Sequence, residues 1–257
     1  MTLSDQQRKR YARHLALPEI GEKGQEKLLQ SKILIVGAGG LGSPAAFYLA
    51  AAGIGTLGLA DGDNVELSNL QRQILHTTAS TGTPKVTSAA ERLQAINPDT
   101  RLTLHPVHLD ENNATELITR YDFIIDATDS FKAKLLIAKA CAQTQKPYSH
   151  AGISHFHGQT ITVHPGKTAC YGCIFNEPDT TGTPLPEGPL GTLPGILGTI
   201  QATEAIKHLL SIGTPLHNAI LTYDALTMQI RKIPIHRDPL CPICGQHSVM
   251  SDAGYRL

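Results

Sequence analysis

Two pairs of cysteines share one spacing, Cys170-Tyr-Gly-Cys173 and Cys241-Pro-Ile-Cys244. Two residues between thiolates let both sulfurs reach a single ion at about 2.3 Å, and four thiolates close a tetrahedral zinc site to water. Such a site is structural, and here it would clip the C-terminal segment to the body of the protein. Redox-active thiols and iron–sulfur ligation are the competing readings, although no other redox signature accompanies the pairs. A second set of residues suits phosphate chemistry. The run Gly37-Ala-Gly-Gly-Leu-Gly42 holds Gly37, Gly39, Gly40 and Gly42. Glycines allow backbone conformations closed to other residues and a close approach of phosphate to the chain. Asp61 follows about two dozen residues after Gly37, where an acid can accept hydrogen bonds from ribose hydroxyls. Asp63, the polar run Ser68-Asn69-Leu70-Gln71-Arg72-Gln73, Lys85, Asp126 and Asp129 complete the set. Carboxylates beside Arg and Lys suit Mg2+ and a polyphosphate, because both signs of charge need local neutralisation. A helix cap or a solvated loop end is the ordinary role of any single one of these acids.

A scaffold must bring these groups together. Lys32 to Val36 is a short continuous apolar run and reads as a buried strand. The glycine run follows at once, then a small-residue helix from Ser43 to Ala52, then a strand from Gly55 to Ala60 that ends at Asp61. Strand, glycine turn, helix, strand and acid form the opening unit of a doubly wound parallel sheet. The alternation continues with helices over Lys85–Ile96, Glu111–Thr119, Phe131–Gln143 and Thr192–Leu210. Strands are expected over Arg101–Pro106, Tyr121–Asp126, Pro147–Ala151 and Gln159–Val163, with a terminal pair at Ile220–Tyr223 and Met228–Ile233. Strand ends line the ligand crevice of such a sheet, so Asp61, Asp63, Asp126 and Asp129 are expected to converge near Arg72 and Lys85. The expected fold is α/β: a Rossmann-like, mostly parallel central sheet with flanking helices and C-terminal antiparallel strands, plus the four-cysteine zinc site.

Composition narrows the function. Lys and Arg total 22, equal to Asp and Glu at 22, so no basic excess points to nucleic acid. No apolar run is long enough to span a bilayer, and the first residues lack the apolar core of a signal peptide. A reducing, cytoplasmic home is expected. The first thirty residues read as helical, peripheral pieces around Tyr11–Leu15 and Glu22–Gln30. The stretch from Asn176 to Leu193 is rich in Pro and Gly and reads as a crossover arm over an active site. Cys141 reads as a buried small hydrophobe. His150, His155 and His157 read as surface or packing residues, one of them a candidate neighbour of the substrate's tail. His155 and His157 would share a face of a regular strand.

The segments Arg10-Tyr-Ala-Arg-His14, Pro18-Glu-Ile-Gly21, Gly37-Ala-Gly-Gly-Leu-Gly-Ser-Pro44, Ser68 to Gln73, and Lys85 carry a closer match. Together they resemble the HesA/MoeB/ThiF family, the ubiquitin-activating-enzyme-like adenylyltransferases of sulfur-carrier proteins. The resemblance runs from about Arg10 to Gly245. It implies an enzyme that uses ATP and Mg2+ to adenylate the C-terminal Gly-Gly carboxylate of a small ubiquitin-like sulfur carrier, releasing pyrophosphate. The activated carrier would feed molybdopterin, thiamine or related thio-cofactor synthesis, with a sulfur-donor protein as a further partner. It also implies a homodimer in which Arg13 reaches the neighbouring ATP site. By the same resemblance Asp61 takes the ribose, Asn69, Arg72 and Lys85 contact the phosphates, Gly40 lies beside AMP, and Asp129 holds the Mg2+. The same match supports zinc at the four cysteines. One domain over residues 1–257 follows: a helical arm (1–30), a nucleotide-binding core (31–165), and a part with the crossover loop, zinc site and carrier-binding region (166–257).

The chain departs from that pattern in three places. Gly182 to Gly191 holds no cysteine, so a thioester in the crossover loop is not expected. Ser130 and Lys134 stand where the family usually has Asn and Arg; Ser130 keeps one hydrogen bond toward the nucleotide, and Lys134 keeps charge without the bidentate fork. The same chemistry on a peptide or small carboxylate is the nearer alternative. An NAD-dependent oxidoreductase and a non-catalytic scaffold are the alternatives of another class.

Overall fold

The computed structural model describes residues 2–175 and 188–245. Its frame is an eight-stranded sheet in the order β3-β2-β1-β4-β5-β6-β7-β8. The first five strands in chain order are parallel: β1 (Lys32–Val36), β2 (Thr56–Ala60), β3 (Arg101–His105), β4 (Phe123–Asp126) and β5 (Tyr148–Ser154). The last three continue the sheet antiparallel: β6 (His157–Val163), β7 (Ala219–Asp224) and β8 (Gln229–Pro234). The α/β fold with a parallel core and C-terminal antiparallel strands is therefore as the sequence implies.

The apolar run of β1 makes sense only if both faces of the sheet are covered. Ile33 and Ile35 point into one core, under α3 (Gly21–Gln30), α4 (Gly42–Ala51), α5 (Lys85–Ile96) and α8 (Thr192–Leu210). Leu34 and Val36 point into the other, under α6 (Ala114–Thr119) and α7 (Phe131–Thr144). That second core also takes in Cys170, Tyr171, Cys241 and Cys244. Alternate residues of one strand thus anchor two layers of helices. The helix α8 lies very close to α4, because a Cβ at Gly198 would collide with the Leu41 carbonyl oxygen. Only glycine permits that approach.

Several boundaries differ from expectation for local reasons. The helix expected from Glu111 starts at Ala114, because the Asp110 carboxylate accepts from the N–H groups of Asn112 and Asn113 and holds a turn there. His155 and His157 do not share a strand face. His155 sits in the β5–β6 turn with a φ of 51°, and β6 begins only at His157. The N-terminal pieces form α1 (Asp5–Arg10), α2 (Ala12–Leu15) and α3. Tyr11, between the first two, is buried, and its hydroxyl accepts from Asn97 Nδ2 at 2.8 Å. Of the stretch 176–193 expected as a crossover arm, residues 176–187 lie outside the described residues; in the rest, the Leu190 N–H donates to the His155 carbonyl at 2.9 Å and α8 already begins at Thr192. Among the described residues no helix is long and apolar enough to cross a membrane.

Candidate functional site

The strand order reverses between β1 and β4, and chain ends leaving those strands bound the crevice there. From β1 the chain enters the glycine turn. Gly37 has a φ of 97°, and a Cβ on it would stand 2.7 Å from the Ala127 carbonyl oxygen, just past β4. Gly42 cannot carry a side chain either, since its Cβ would strike the Gly37 carbonyl oxygen. The turn is thus closed on itself and pressed against the segment leading to Asp129. Among the described residues, no hydrogen bond takes up the N–H of Gly39, Gly40 or Leu41 at the start of α4. Unpaired amides at a helix N-terminus form a cradle for an anion. His76, which sequence reasoning overlooked, braces this turn from below: its Nε2 lies 2.8 Å from the Ala38 carbonyl oxygen and its Nδ1 3.0 Å from Ser88 Oγ. Burial holds its pKa below the ordinary imidazole value.

Asp61 joins the turn to the cations. One carboxylate oxygen accepts the Ala38 N–H at 2.8 Å, and the other accepts the Asp63 N–H at 2.9 Å. Lys85, buried at the first residue of α5, stands 3.9 Å from Asp61 and 2.8 Å from Asp63. The hydrogen bond from Lys85 pulls the Asp63 carboxyl below its usual range. Arg72 reaches the turn from the other side, with its Cγ 3.4 Å from where a Gly40 Cβ would be. Asn69 Oδ1 organises this flank by accepting from Gln73 Nε2 at 2.8 Å and Arg72 Nη2 at 3.3 Å. Among the described residues Gln73 Oε1 is buried with no partner, and the same side chain lies against Gly39. Ser68 is exposed and hydrogen-bonded to Glu66. The geometry therefore brings Gly37, Gly39, Gly40, Gly42, Asp61, Asp63, Asn69, Arg72, Gln73 and Lys85 around one turn. It leaves Arg13 exposed on α2.

Across the crevice lies a cavity of about 720 Å³. Asp129 stands on its rim, and the wall runs over β5, β6, β7 and β8 through Gly152, Gln159, Tyr223 and Arg231. Asp129 is exposed and makes no hydrogen bond to the described residues. Ser130 caps α7, its hydroxyl accepting the Ala133 N–H at 3.2 Å, which leaves the O–H to donate.

One expectation fails at this point. Asp126 does not converge on Arg72 and Lys85. It is fully buried at the end of β4, where His150 Nδ1 lies 2.9 Å away, Thr128 Oγ1 donates at 2.7 Å, and Lys134 Nζ lies at 3.5 Å. The reason is pleat: Asp126 and His150 are register partners on adjacent parallel strands, so their side chains share one face. Burial alone would push the Asp126 carboxyl up, but Lys134, His150 and Thr128 overcome it and hold it at about 2. Burial and the Lys134 charge push His150 down to about 4 against the pull of Asp126. Lys134 is also not a free cation, since its Nζ donates to the Ala151 carbonyl at 2.7 Å. Nothing local in the sequence marks this network or the cavity wall, because the parts come from separate strands.

The cysteine pairs meet behind the cavity. All four sulfurs lie within 4.8 Å of one another. Cys170 is 3.8 Å from Cys173 and 3.5 Å from Cys241, and Cys173 is 3.3 Å from Cys244. A tetrahedron with bonds of about 2.3 Å has edges of about 3.8 Å, so the cluster can take an ion with little adjustment. Tyr171, inside the first pair, also lines the cavity. Cys141 is buried on α7 in the same apolar core and is not one of the clustered sulfurs, as a small hydrophobe would be.

Comparison with known proteins extends this picture. The ThiF family model matches residues 11–243. A sulfur carrier protein adenylyltransferase from Thermus thermophilus is 42% identical over 245 residues, covering 92% of this chain and 90% of that protein. The SAMP-activating enzyme E1 of Haloferax volcanii is also 42% identical, covering 98% of this chain and 94% of its own length. Among solved structures, E. coli MccB with MccA-N7isoASN superposes with a TM-score of 0.82 at 24% identity, covering 92% of this chain and 75% of that one. That last likeness is one of fold.

Proposed function

This chain belongs to the ThiF family and is an adenylyltransferase, and on that premise we propose that it activates the C-terminal glycine carboxylate of a small ubiquitin-like sulfur carrier with ATP. The observation that carries the proposal is a juxtaposition. The glycine turn with Arg72 and Lys85 lies on one side of the β1/β4 crevice, and a cavity past Asp129 opens on the other. Triphosphate would lie on the free amides of the turn, with the ribose against Asp61. Arg72, Lys85 and Asn69 would line the phosphates, with Asp63, Ser68, Gln73 and Ser130 around them. The cavity wall crosses from the end of β4 to β8, four strand spacings or about 19 Å, which an extended tail of about six residues would fill.

In the reaction a carboxylate oxygen of the tail attacks the α-phosphorus. The new O–P bond forms as the bond to the β-phosphate breaks, and pyrophosphate leaves. No general base is required, since a terminal carboxyl with an ordinary pKa of about 3.5 is already ionised at neutral pH. The obstacle is repulsion between two anions, and Arg72 and Lys85 offset it where charge develops on the leaving group. Asp129 would hold a Mg2+ ion, which supplies further neutralisation of phosphate charge when bound. In a homodimer Arg13 would complete the neighbouring site. The four cysteines fit a structural zinc ion. With no cysteine between residues 176 and 191, the reaction on this chain ends at the acyl-adenylate and leaves sulfur transfer to a donor protein. Residues 1–30 serve as the arm, 31–165 as the nucleotide core and 166–257 as the carrier-binding part, in a reducing cytoplasm that suits free thiolates.

The test is exchange of labelled pyrophosphate into ATP with candidate carriers ending in Gly-Gly. Exchange that depends on one carrier and on Mg2+ is the expected result. Exchange with a short peptide or small acid but with no carrier would overturn the assignment of substrate, and tight NAD binding without ATP binding would overturn the reaction.

A further inference from the structure

We infer that His150 is a specificity-determining residue of the cavity, whose Nε2 accepts a hydrogen bond from a backbone N–H in the last residues of the substrate. The inference rests on the tail-binding reading of the cavity given above. It starts from the tautomer. The contacts of the Asp126 carboxylate all come from donors: the Thr128 N–H at 3.1 Å, the Thr128 hydroxyl at 2.7 Å, the Lys134 ammonium at 3.5 Å, and His150 Nδ1 at 2.9 Å. An ionised carboxylate only accepts, so Nδ1 carries the proton. A neutral imidazole protonated there has a bare lone pair on Nε2.

That lone pair faces the cavity. His150 is buried as a residue, yet it contributes to the cavity wall beside Gly152. A Cβ on residue 152 would stand 3.8 Å from Nε2, in contact with it, so glycine keeps that nitrogen uncovered. The ring cannot swing away. Tyr171 packs on it edge-on with centroids 4.6 Å apart, and Phe175 lies 5.9 Å off. Among the described residues, no hydrogen bond engages Nε2. The cavity floor therefore presents a fixed, acceptor-only nitrogen in a partly apolar wall.

A carboxylate offers that nitrogen nothing, since both are acceptors. A glycine side chain offers nothing either. The donors in an extended glycine tail are its peptide N–H groups, spaced along the chain as in a strand. His150 thus selects for a tail whose relevant residue keeps its N–H, and against proline or an N-alkylated residue at that place. An analogue that lacks the hydrogen leaves a buried acceptor unpaired, a loss of about 10- to 100-fold in kcat/KM.

The experiment uses the full-length enzyme and the carrier protein that supports pyrophosphate exchange. The carrier's tail is rebuilt by ligation with an ester in place of one amide at a time over the last three residues. The ester removes the N–H without adding bulk. The expected result is a fall of 10-fold or more in kcat/KM at one position, with the other two near the natural tail. In His150→Phe that penalty should shrink to under about threefold, while N-methylglycine at the same position should be penalised in the wild type. An ester scan without effect on the wild-type enzyme overturns the inference even if His150→Phe fails to fold. So does an equal ester penalty in both enzymes. Absence of exchange with every unmodified carrier would instead count against the proposed substrate, which separates the two failures.

Discussion

On the parallel side of the sheet, most of the groups that would face phosphate come from one stretch of chain, residues 37–85, and from the turn that stretch makes on itself. On the antiparallel side, the cavity wall is gathered from four strands, from the start of α7 and from the short turn at Tyr171. The first site is rigid by backbone: Gly37 and Gly42 cannot be replaced without collision, and its acid is tied by two main-chain N–H groups. The second is rigid by side chains, through a buried Asp–His–Lys network and aromatic packing. The contrast suits what each site is proposed to recognise. A nucleotide is invariant, so a fixed loop suits it. A tail belongs to a partner whose residues differ, and side chains on several strands can be exchanged one at a time.

Metal removal should break the second site before the first. Cys173→Ser should abolish bound zinc, measured as zero ions per chain by elemental analysis, and lower Tm by about 10 °C or more. ATP binding at low temperature should persist, while carrier-dependent exchange should fall, because Tyr171 between the ligands is part of the cavity wall. Equal loss of both would erase the distinction drawn here. Arg72→Ala should do the reverse. Exchange should drop by about 100-fold or more, with Tm unchanged within about 2 °C, since among the described residues Arg72 makes a single side-chain hydrogen bond, at 3.3 Å.

Acid should find the side-chain network. The folded-state pKa of His150, about 4, lies below its ordinary value, so the folded protein binds fewer protons than the unfolded chain. That contribution to stability is complete above about pH 6.5 and is lost as pH falls toward 4. The loss is of order 3 kcal/mol. His150→Phe should flatten the fall of Tm in this window, leaving the share due to His208, which burial also holds at about 4. Asp126, held at about 2, contributes fully above about pH 4 and loses its share only as pH falls through 2. The smallest expected effect is at the far end of the cavity. Arg231→Ala on β8 should raise KM for the carrier a few-fold and leave kcat alone, as measured by carrier titration in the exchange assay.

The same contrast explains what could be read from sequence. Lys32–Val36, the glycine turn and Asp61 are contiguous, and their spacing follows from the βαβ unit itself. Lys85 was legible because it opens a helix whose apolar spacing is clear. The cysteine pairs declared themselves through their repeated spacing, although 71 residues separate Cys170 from Cys241. Asp126 was misplaced because a strand end permits two directions, and only its register with His150 settles which one it takes. His76 gave no local cue at all, since its partner is a carbonyl 38 residues away.

The helix α8 touches both sites. Pro194 lies 3.2 Å from where a Gly40 Cβ would be, while Leu197 and Leu193 lie 2.8 and 3.3 Å from a Cβ built on Gly158 in the cavity wall. The glycine at 198 lets this helix sink onto the start of α4, so the gap between the glycine turn and the cavity, which on the proposed reading is the gap between triphosphate and tail, is gauged by the thickness of one helix seated at its lowest height. A methyl group at 198 would alter neither charge nor any ligand contact, yet it would lift the gauge and spread the two reactants by a fraction of an ångström. In-line attack is most sensitive to that distance.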